Sequence, residues 1–373
     1  MMSPMHRFRL LTLTMLAFAV LVFAVLAALA PGTSRLHAQA PSPAKPWIAP
    51  RTPDGHPDLQ GNWSNATLTP LERPAGLPLV LTREQVARLE KVRSDSEEVL
   101  SKKSDPNRTA PPVGGDGSTG AAGNVGGYNY FWIDAGDHIA IINGEHRGSI
   151  IVDPPNGRMP PLTAAARAWA QERQTRARRF GPYDNPENRP LAERCIMSFG
   201  SNAGPPMLPN GFYNNNYTIV QTHDHVMIMT EMVHDVRIVR MGSPRPYPPV
   251  RDWMGESWGR WEGDTLVVET TGFHPSQTLS ASVFLNGALG ATDSLRVVER
   301  FTRTDARTIL YRFTVHDPLN FTAAWSGELP MVAMDDEIYE YACHEANYAL
   351  SNILSGARSM EREAAAKKPT PKE

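Results

Sequence analysis

Two short clusters in this chain of 373 residues place an imidazole next to carboxylates, the pairing that general acid–base catalysis uses. The first cluster spans residues 231–235, and the second follows Cys343 directly. If the fold brings the clusters together, they would line one polar pocket of a hydrolase or lyase. The alternative is structural, because such residues at turns and strand ends also satisfy backbone donors. The candidate catalytic residues are Glu231, His234, Asp235, His344 and Glu345.

The spacing His223-x-His225 is the most metal-like in the chain, because alternate residues of a strand share a face. The same residues are typical of a hairpin corner, which would turn both imidazoles towards solvent. Met227 and Met229 follow on one face and could offer soft ligands to Cu(I), although methionine more often fills a core. The sequence contains no G-x-S-x-G, H-E-x-x-H, Walker A or C-x-x-C pattern, and the cofactor, if any, is unknown.

Aromatic and amide side chains near residues 213–217 and 258–261 could bind a small molecule by stacking and hydrogen bonding. Aromatic residues of a β domain also pack in the core or at its rim, so both roles stay open. The candidate ligand-contact residues are Tyr213, Asn215, Tyr217, Trp258 and Trp261.

The first forty residues have the layout of a secretory signal peptide. Arg7 and Arg9 precede an apolar run from Leu10 to Ala30, and small or polar residues then lead to Ala38-Gln39-Ala40. The run is also long enough to cross a bilayer, so an uncleaved anchor is the alternative. Only in that case would a membrane be a partner. Both interpretations place the bulk of the chain outside the cytoplasm, periplasmic or secreted.

Cys195 and Cys343 are the only cysteines of the chain. An oxidising compartment favours one disulfide between them, and two separate buried thiols are the alternative. The chain has 37 basic and 39 acidic residues and a formal net charge of −2, which gives no reason to expect nucleic acid as a partner. A small-molecule ligand or substrate is the expected partner.

Short apolar runs between turn residues, from Tyr217 to about Tyr341, predict a mainly β fold with an antiparallel meander. Such a sheet closes as a lipocalin-like barrel or packs as a sandwich, with two flanking helices outside. Thr82 and Thr163 cap those helices. The predicted organisation is a signal peptide at 1–40, an extended surface arm, helix and Gly-rich loop at 41–127, a β domain at 128–345 with an inserted helix at 163–179, and a C-terminal segment with a disordered tail at 346–373.

Several phrases of this chain occur together in other sequences, among them GRWEGDTLVVETTGF (259–273) and YEYACHEANYAL (339–350). With PDLQGNWSNATLTPLERP (58–74) and NNNYTIVQT (214–222), they resemble a group of exported bacterial proteins usually described as hypothetical. The resemblance covers nearly the whole mature chain. It implies one β-rich exported domain and brings no assigned activity. In that group, proline often stands at the position that His223 occupies in this chain. This difference counts against a role of His223 as a family feature.

Three functions fit these observations. The first is a module that binds a small apolar, aromatic or sugar-like molecule, which an internal barrel cavity would support. The second is an extracytoplasmic hydrolase or lyase that uses a pair of histidine and carboxylate. The third is a protein interaction module whose arm and Gly-rich loop contact a partner. The sequence favours binding slightly over catalysis.

Overall fold

The computed structural model describes residues 47–100, 107, 134–198, 202–211, 214–243, 251–277 and 290–367. The predicted signal peptide, Tyr213 and, apart from Asn107, the Gly-rich part of residues 104–127 lie outside these ranges. Within them, no helix combines the length and the apolar character needed to cross a membrane.

Most elements of the described chain are β-strands. They are β1 (Gly61–Ser64), β2 (Ile141–Ile142), β3 (Glu145–His146), β4 (Ile151–Asp153), β5 (Asn216–Gln221), β6 (His225–Thr230), β7 (Val236–Met241), β8 (Glu256–Glu262), β9 (Thr265–Thr271), β10 (Arg296–Arg303), β11 (Thr308–His316) and β12 (Trp325–Ala333). β2 and β3 pair only with each other. β1 and β5 to β12 close into a barrel, because β1 pairs with both β5 and β12. The prediction of a mainly β barrel is confirmed, and β4 extends the sheet beside β12.

One pair of neighbouring strands departs from the predicted antiparallel meander. β7 and β8 run parallel, with Val239 opposite Ser257 and Met241 opposite Gly259. Parallel neighbours need a long connection, and residues 242–255 provide it. The parallel pairing is short, so this seam holds the barrel less tightly than the long hairpins do.

The segment predicted as a surface arm supplies a strand of the barrel. Trp63 of β1 lies opposite Tyr217 of β5 and Ala333 of β12. Its side chain is buried, and the indole Nε1–H donates a hydrogen bond to the carbonyl oxygen of Leu59 at 3.0 Å. The prediction of a surface arm is therefore wrong at β1. Burial of this large indole outweighs the turn-forming residues around it.

The protein's own side chains fill the barrel. Alternate residues of each strand point inwards, and the largest buried rings include those of Tyr217, Phe301, Tyr311, Phe313 and Trp325. The loop at residues 202–208 is buried against them, and the Met207 N–H donates to the Tyr311 hydroxyl at 2.9 Å. A ligand site therefore has to be sought at the ends of the barrel or outside it.

One ion pair lies among these apolar side chains. Arg237 of β7 and Glu299 of β10 make two hydrogen bonds, of which the one from Nη2 to Oε1 is 3.0 Å long. The two side chains are 3% and 0% exposed. The Tyr311 hydroxyl donates to Glu299 Oε1 at 2.8 Å, and burial raises the pKa of this phenol, which keeps it protonated as a donor. Each charge compensates the other at a site almost fully shielded from solvent.

In the described ranges, three α-helices pack outside the barrel: α1 (Arg83–Leu100), α2 (Ala164–Arg179) and α3 (Ala349–Ala366). Before α1, Thr82 and Gln85 exchange the two hydrogen bonds of a capping box. Thr163 caps α2, because its Oγ1 accepts from the N–H of Ala166 at 3.0 Å. These side chains satisfy donors that the first turn of a helix leaves free.

Helix α3 occupies much of the segment that was predicted to end in a disordered tail. The helix continues to Ala366. Leu350, Ile353 and Ala357 recur at helical spacing, and all three are at least partly buried. The final alanines favour the helical state, since alanine has the highest helix propensity.

A strap of residues 334–348 links β12 to α3 along the outside of the barrel. Its beginning is hydrogen-bonded to β1. Near its end, Cys343 forms the predicted disulfide with Cys195, with the two Cα atoms 5.8 Å apart. The disulfide joins positions 148 residues apart and fixes the C-terminal part of the chain to the loop after α2.

We predict that removing one partner of the buried ion pair costs much more than replacing both. Arg237→Met leaves the Glu299 charge buried and unpaired, and should lower the free energy of unfolding by about 3–5 kcal/mol. Arg237→Met with Glu299→Gln should recover much of that loss, because the amide still accepts from Tyr311. Urea unfolding of the oxidised protein measures both values. The surface variant Arg260→Met is the control and should change little; an equal loss in the single and double variants would contradict the compensation.

Candidate functional site

The turn between β6 and β7 holds two consecutive residues in the left-handed region. Val233 has φ 60° and ψ 12°, and His234 has φ 46°. This conformation is rare for non-glycine residues, especially for β-branched valine, and costs on the order of 1–3 kcal/mol per residue. Hydrogen bonds maintain it: the Thr230 N–H donates to Asp235 O at 2.8 Å, and the His234 N–H donates to Glu231 O at 3.1 Å. Such a conformation persists where its surroundings enforce it, often at functional sites.

Left-handed non-glycine residues concentrate in the segments that meet at this end of the barrel. Besides the two in the turn, they are Cys195, Asn214 and Ala346. Cys195 is one half of the disulfide, and Ala346 lies three residues after its other half, Cys343. Asn214 O accepts from the side chain of Asn202 at 2.9 Å. In the described chain, only Asn143 of the β2–β3 hairpin has such a conformation elsewhere.

The structure brings His234 and His344 together. Their ring centroids are 6.4 Å apart, with the planes inclined at 51°. His234 Nδ1 lies 3.1 Å from the carbonyl oxygen of Tyr341 in the strap. Because a carbonyl only accepts, Nδ1 carries the proton, which leaves Nε2 as the basic nitrogen. His234 is exposed, so this nitrogen is open to a ligand or to water.

Asp235 lies partly buried beside His234. Burial raises the pKa of its carboxyl to about 6, while the N–H of Ser198, which donates to Oδ2 at 2.9 Å, and the nearby His234 act in the opposite direction. Near pH 6 this carboxyl exchanges a proton readily, which suits an acid–base group.

Glu231 anchors the strap. Its side chain is 4% exposed. Oε2 accepts from the Asn216 side chain at 2.8 Å, and Oε1 accepts from the N–H of Tyr339 at 3.1 Å. Both carboxylate oxygens are therefore engaged in positioning the chain. Glu345 is exposed, and no hydrogen bond or ion pair joins it to either histidine.

Asp134 is a further carboxyl near this site that the sequence did not single out. Burial raises its pKa, and the charges of Asp137 and Glu231 contribute in the same direction. Its backbone carbonyl accepts from the Asn215 side chain at 2.9 Å. No motif surrounds it, so only the fold reveals its proximity to Glu231.

A groove of about 470 Å³ lies beside the strap and contains the disulfide in its wall. Its lining is mostly apolar, with Tyr341 shared between the groove and the contact to His234. Arg189 holds the Glu193 carboxylate at its rim with two hydrogen bonds of 2.8 Å. The groove is lined by Ala192, Glu193, Cys195, Glu340, Tyr341, Ala342, Cys343, Asn347, Ala349, Leu350 and Ile353.

Sequence reasoning missed this groove because its walls come from regions interpreted as loop and tail. Residues 192–195 belong to an irregular segment, and residues 349–353 begin α3. The helical spacing of Leu350, Ile353 and Ala357 was the available signal, since it indicates a face that packs against something.

The predicted metal pair lies on the exposed β5–β6 hairpin, far along the strands from the strap contact at Glu231. His223 Nδ1 lies 3.2 Å from an Asp54 carboxylate oxygen, and His225 Nδ1 lies 2.9 Å from one of Asp224. In the part of the chain that the structure describes, no three His, Cys, Asp or Glu residues are grouped to hold a metal ion.

Among the residues that the structure describes, the predicted aromatic and amide contacts do not converge on one site. Trp258 and Trp261 are three residues apart in β8, and an odd separation in a strand puts them on opposite faces. Trp261 stacks on His56 with the ring centroids 4.8 Å apart. Asn215 and Tyr217 are fully buried, and their hydrogen bonds hold loops in place.

Comparison with known proteins gave no matching protein-family model, no similar curated protein and no similar solved structure. The geometry of the chain's own residues therefore carries the functional conclusion.

We predict that Asp235 makes the protein less stable as the pH rises. Its folded pKa lies above the ordinary value, so the protonated form favours folding, and this contribution is lost between about pH 4 and pH 6. Compared with Asp235→Asn, the wild type should lose on the order of 2 kcal/mol of unfolding free energy across that interval. Urea unfolding at several pH values measures the difference. Parallel stability curves for the two proteins would refute the prediction.

Proposed function

We propose that this protein binds a small, largely apolar or aromatic molecule in the groove beside the disulfide. The observation that carries the proposal is the groove itself. Its volume of about 470 Å³ lies within the range of roughly 300–1,000 Å³ found for small-molecule sites. Such sites combine an apolar lining with a few polar groups.

The lining indicates the kind of ligand. Leu350, Ile353 and several alanines offer apolar surface, and Tyr341 offers an aromatic ring. Asn347 supplies polar atoms, although its Nδ2 is close to Cys195 Sγ at 3.2 Å. Of the two carboxylates in the lining, Glu193 is paired with Arg189 and Glu340 is exposed to solvent, so an apolar or aromatic body with one or two polar groups fits this lining better than a sugar.

We further propose that the protein functions outside the cytoplasm. The leader-like first forty residues and the resemblance to exported bacterial proteins support this location. A disulfide between the only two cysteines is also typical of an oxidising compartment.

A second candidate function is acid–base hydrolysis, favoured by the orientation of His234. Its Nε2 can take a proton from water while the water oxygen attacks an acyl carbon, and the imidazolium then returns that proton to the leaving alcohol as the ester C–O bond breaks. The carbonyl of Tyr341 fixes the required tautomer, and the left-handed backbone fixes the position of the ring. Tyr341 connects this side chain to the groove where a substrate would bind.

We predict that Ala342→Trp blocks the groove. Ligand-observed NMR with a library of aromatic and aliphatic fragments should identify binders of the wild type, and the added indole should weaken them by roughly tenfold or more. The control is Ala323→Trp, which places the same ring at an exposed position between β11 and β12. Fragments that bind both variants equally well would place the ligand elsewhere, and a library without binders would count against the proposal.

For the second candidate, we predict that His234→Ala lowers hydrolysis of p-nitrophenyl acetate or butyrate by roughly 10²-fold or more. The matched control is His316→Ala, an exposed histidine at the end of β11. Equal rates in the two variants would exclude His234 as the base, and added imidazole should partly restore the His234→Ala rate.

A further inference from the structure

We propose that the Cys195–Cys343 disulfide is a thiol–disulfide exchange site that assembles the groove, so that its reduction releases the strap and removes the ligand site. This inference rests on the proposed function of the groove. It concerns the regulation of that site, which the binding proposal alone does not address.

Both cysteines are part of the groove wall. One side of the groove comes from residues 192–195, which precede β5 in the sequence. The other side comes from residues 340–353, which follow β12. The disulfide is the covalent link between these two sides. A ligand in the groove would therefore lie against the bond that holds the groove together.

Polar contacts, rather than packing, hold the strap beyond residue 336. Tyr339 and Tyr348 are 80% and 70% exposed. Hydrogen bonds of 3.1 Å from the Tyr339 N–H to Glu231 and from His234 to the Tyr341 carbonyl join the strap to the site, and the Asn347 side chain donates to the Glu193 carbonyl at 3.5 Å. Little apolar surface of residues 335–348 is buried, so these bonds have little support from packing.

Helix α3 adds only a weak attachment. In its described residues, Ala357 is the buried side chain. Arg358 donates to the carbonyl oxygens of Tyr183 and Asp184 at 3.1 and 3.3 Å. A surface helix with so small a buried face depends on a second attachment, and the disulfide provides it.

The backbone conformation of Cys195 favours movement of its loop once the disulfide opens. This residue has φ 52°, a conformation disfavoured for non-glycine residues. The loop can leave the left-handed region when Cys343 no longer fixes it, so opening relieves a constraint on the barrel side of the groove as well.

The exchange step balances with a dithiol as the reductant. One thiolate attacks a sulfur of the Cys195–Cys343 bond and forms a mixed disulfide, while the released cysteine takes up a proton. The second thiol of the reductant then displaces the remaining cysteine, which also becomes a thiol. Two electrons pass to the protein, and the reductant ends as its disulfide. A disulfide oxidant reverses the step.

Binding and reduction are then linked in both directions. A ligand that requires the assembled groove stabilises the oxidised state and shields the two sulfurs, and reduction lowers the affinity for that ligand. The His234 site responds as well, because the carbonyl that orients its imidazole belongs to the strap.

Hydrogen exchange measured by mass spectrometry tests the opening without any ligand. On adding dithiothreitol to the full protein, amides of residues 338–366 should exchange roughly tenfold faster or more, while β9, β10 and β11 keep their protection. Cys195→Ser with Cys343→Ser should show the fast pattern without reductant and no further change with it.

Unchanged exchange in residues 338–366 after complete reduction would overturn the inference, and so would a loss of protection throughout the barrel. Fragments that bind the wild-type groove should lose affinity on reduction; equal affinity in both states would also overturn it. If no fragment binds in either state while the strap still opens, the proposed binding function fails and the release of the strap stands.

Discussion

An arginine inside a β-barrel requires an acid within reach, and this requirement organises the structure. Arg237 points inwards from β7, and Glu299 meets it from β10. Through Tyr311, the same carboxylate is connected to the N–H of Met207, which fixes the buried loop at residues 202–208. Arg237 also lies only three residues after His234 in the sequence. Anchoring the first part of β7 therefore helps to keep the preceding turn in its left-handed conformation.

Because side chains fill the barrel interior, a functional site has to lie at the rim. Lipocalin-like barrels hold a ligand inside, but here aromatic rings and an ion pair occupy that volume. Loops on a rigid scaffold are the usual place for binding and catalysis. In this protein the β6–β7 turn, the loop carrying Cys195 and the strap meet at one end, and they come from distant parts of the sequence.

Local signals in the sequence were reliable where the responsible interaction is itself local. Thr82 and Thr163 mark helix starts because each caps its own first turn. The alternating runs indicate strands, and the closed barrel follows once their number and order are known. The disulfide followed from a compartment argument, since only Cys195 and Cys343 are available.

The rest depends on contacts between distant residues, which spacing along the chain does not encode. β1 joins the barrel because Trp63 fits between β5 and β12, and its turn-rich surroundings hid that role. Trp258 and Trp261 are close in sequence, but strand alternation puts their side chains on opposite faces of the sheet. The groove needs α3 and the loop at residues 192–195 together, and neither segment predicts the other.

The manner of barrel closure has a consequence for how the chain folds. β1 begins at Gly61 and β12 ends at Ala333, and the pairing of these two strands closes the sheet. Contacts between such remote positions carry a high contact order, and folding that depends on them is slow. Without β12 the sheet would keep two unpaired edges, so closure has to await synthesis of the chain through residue 333. Until then, the unpaired edges can pair with strands of other chains. A protein of this topology therefore requires protection against aggregation before the sheet closes.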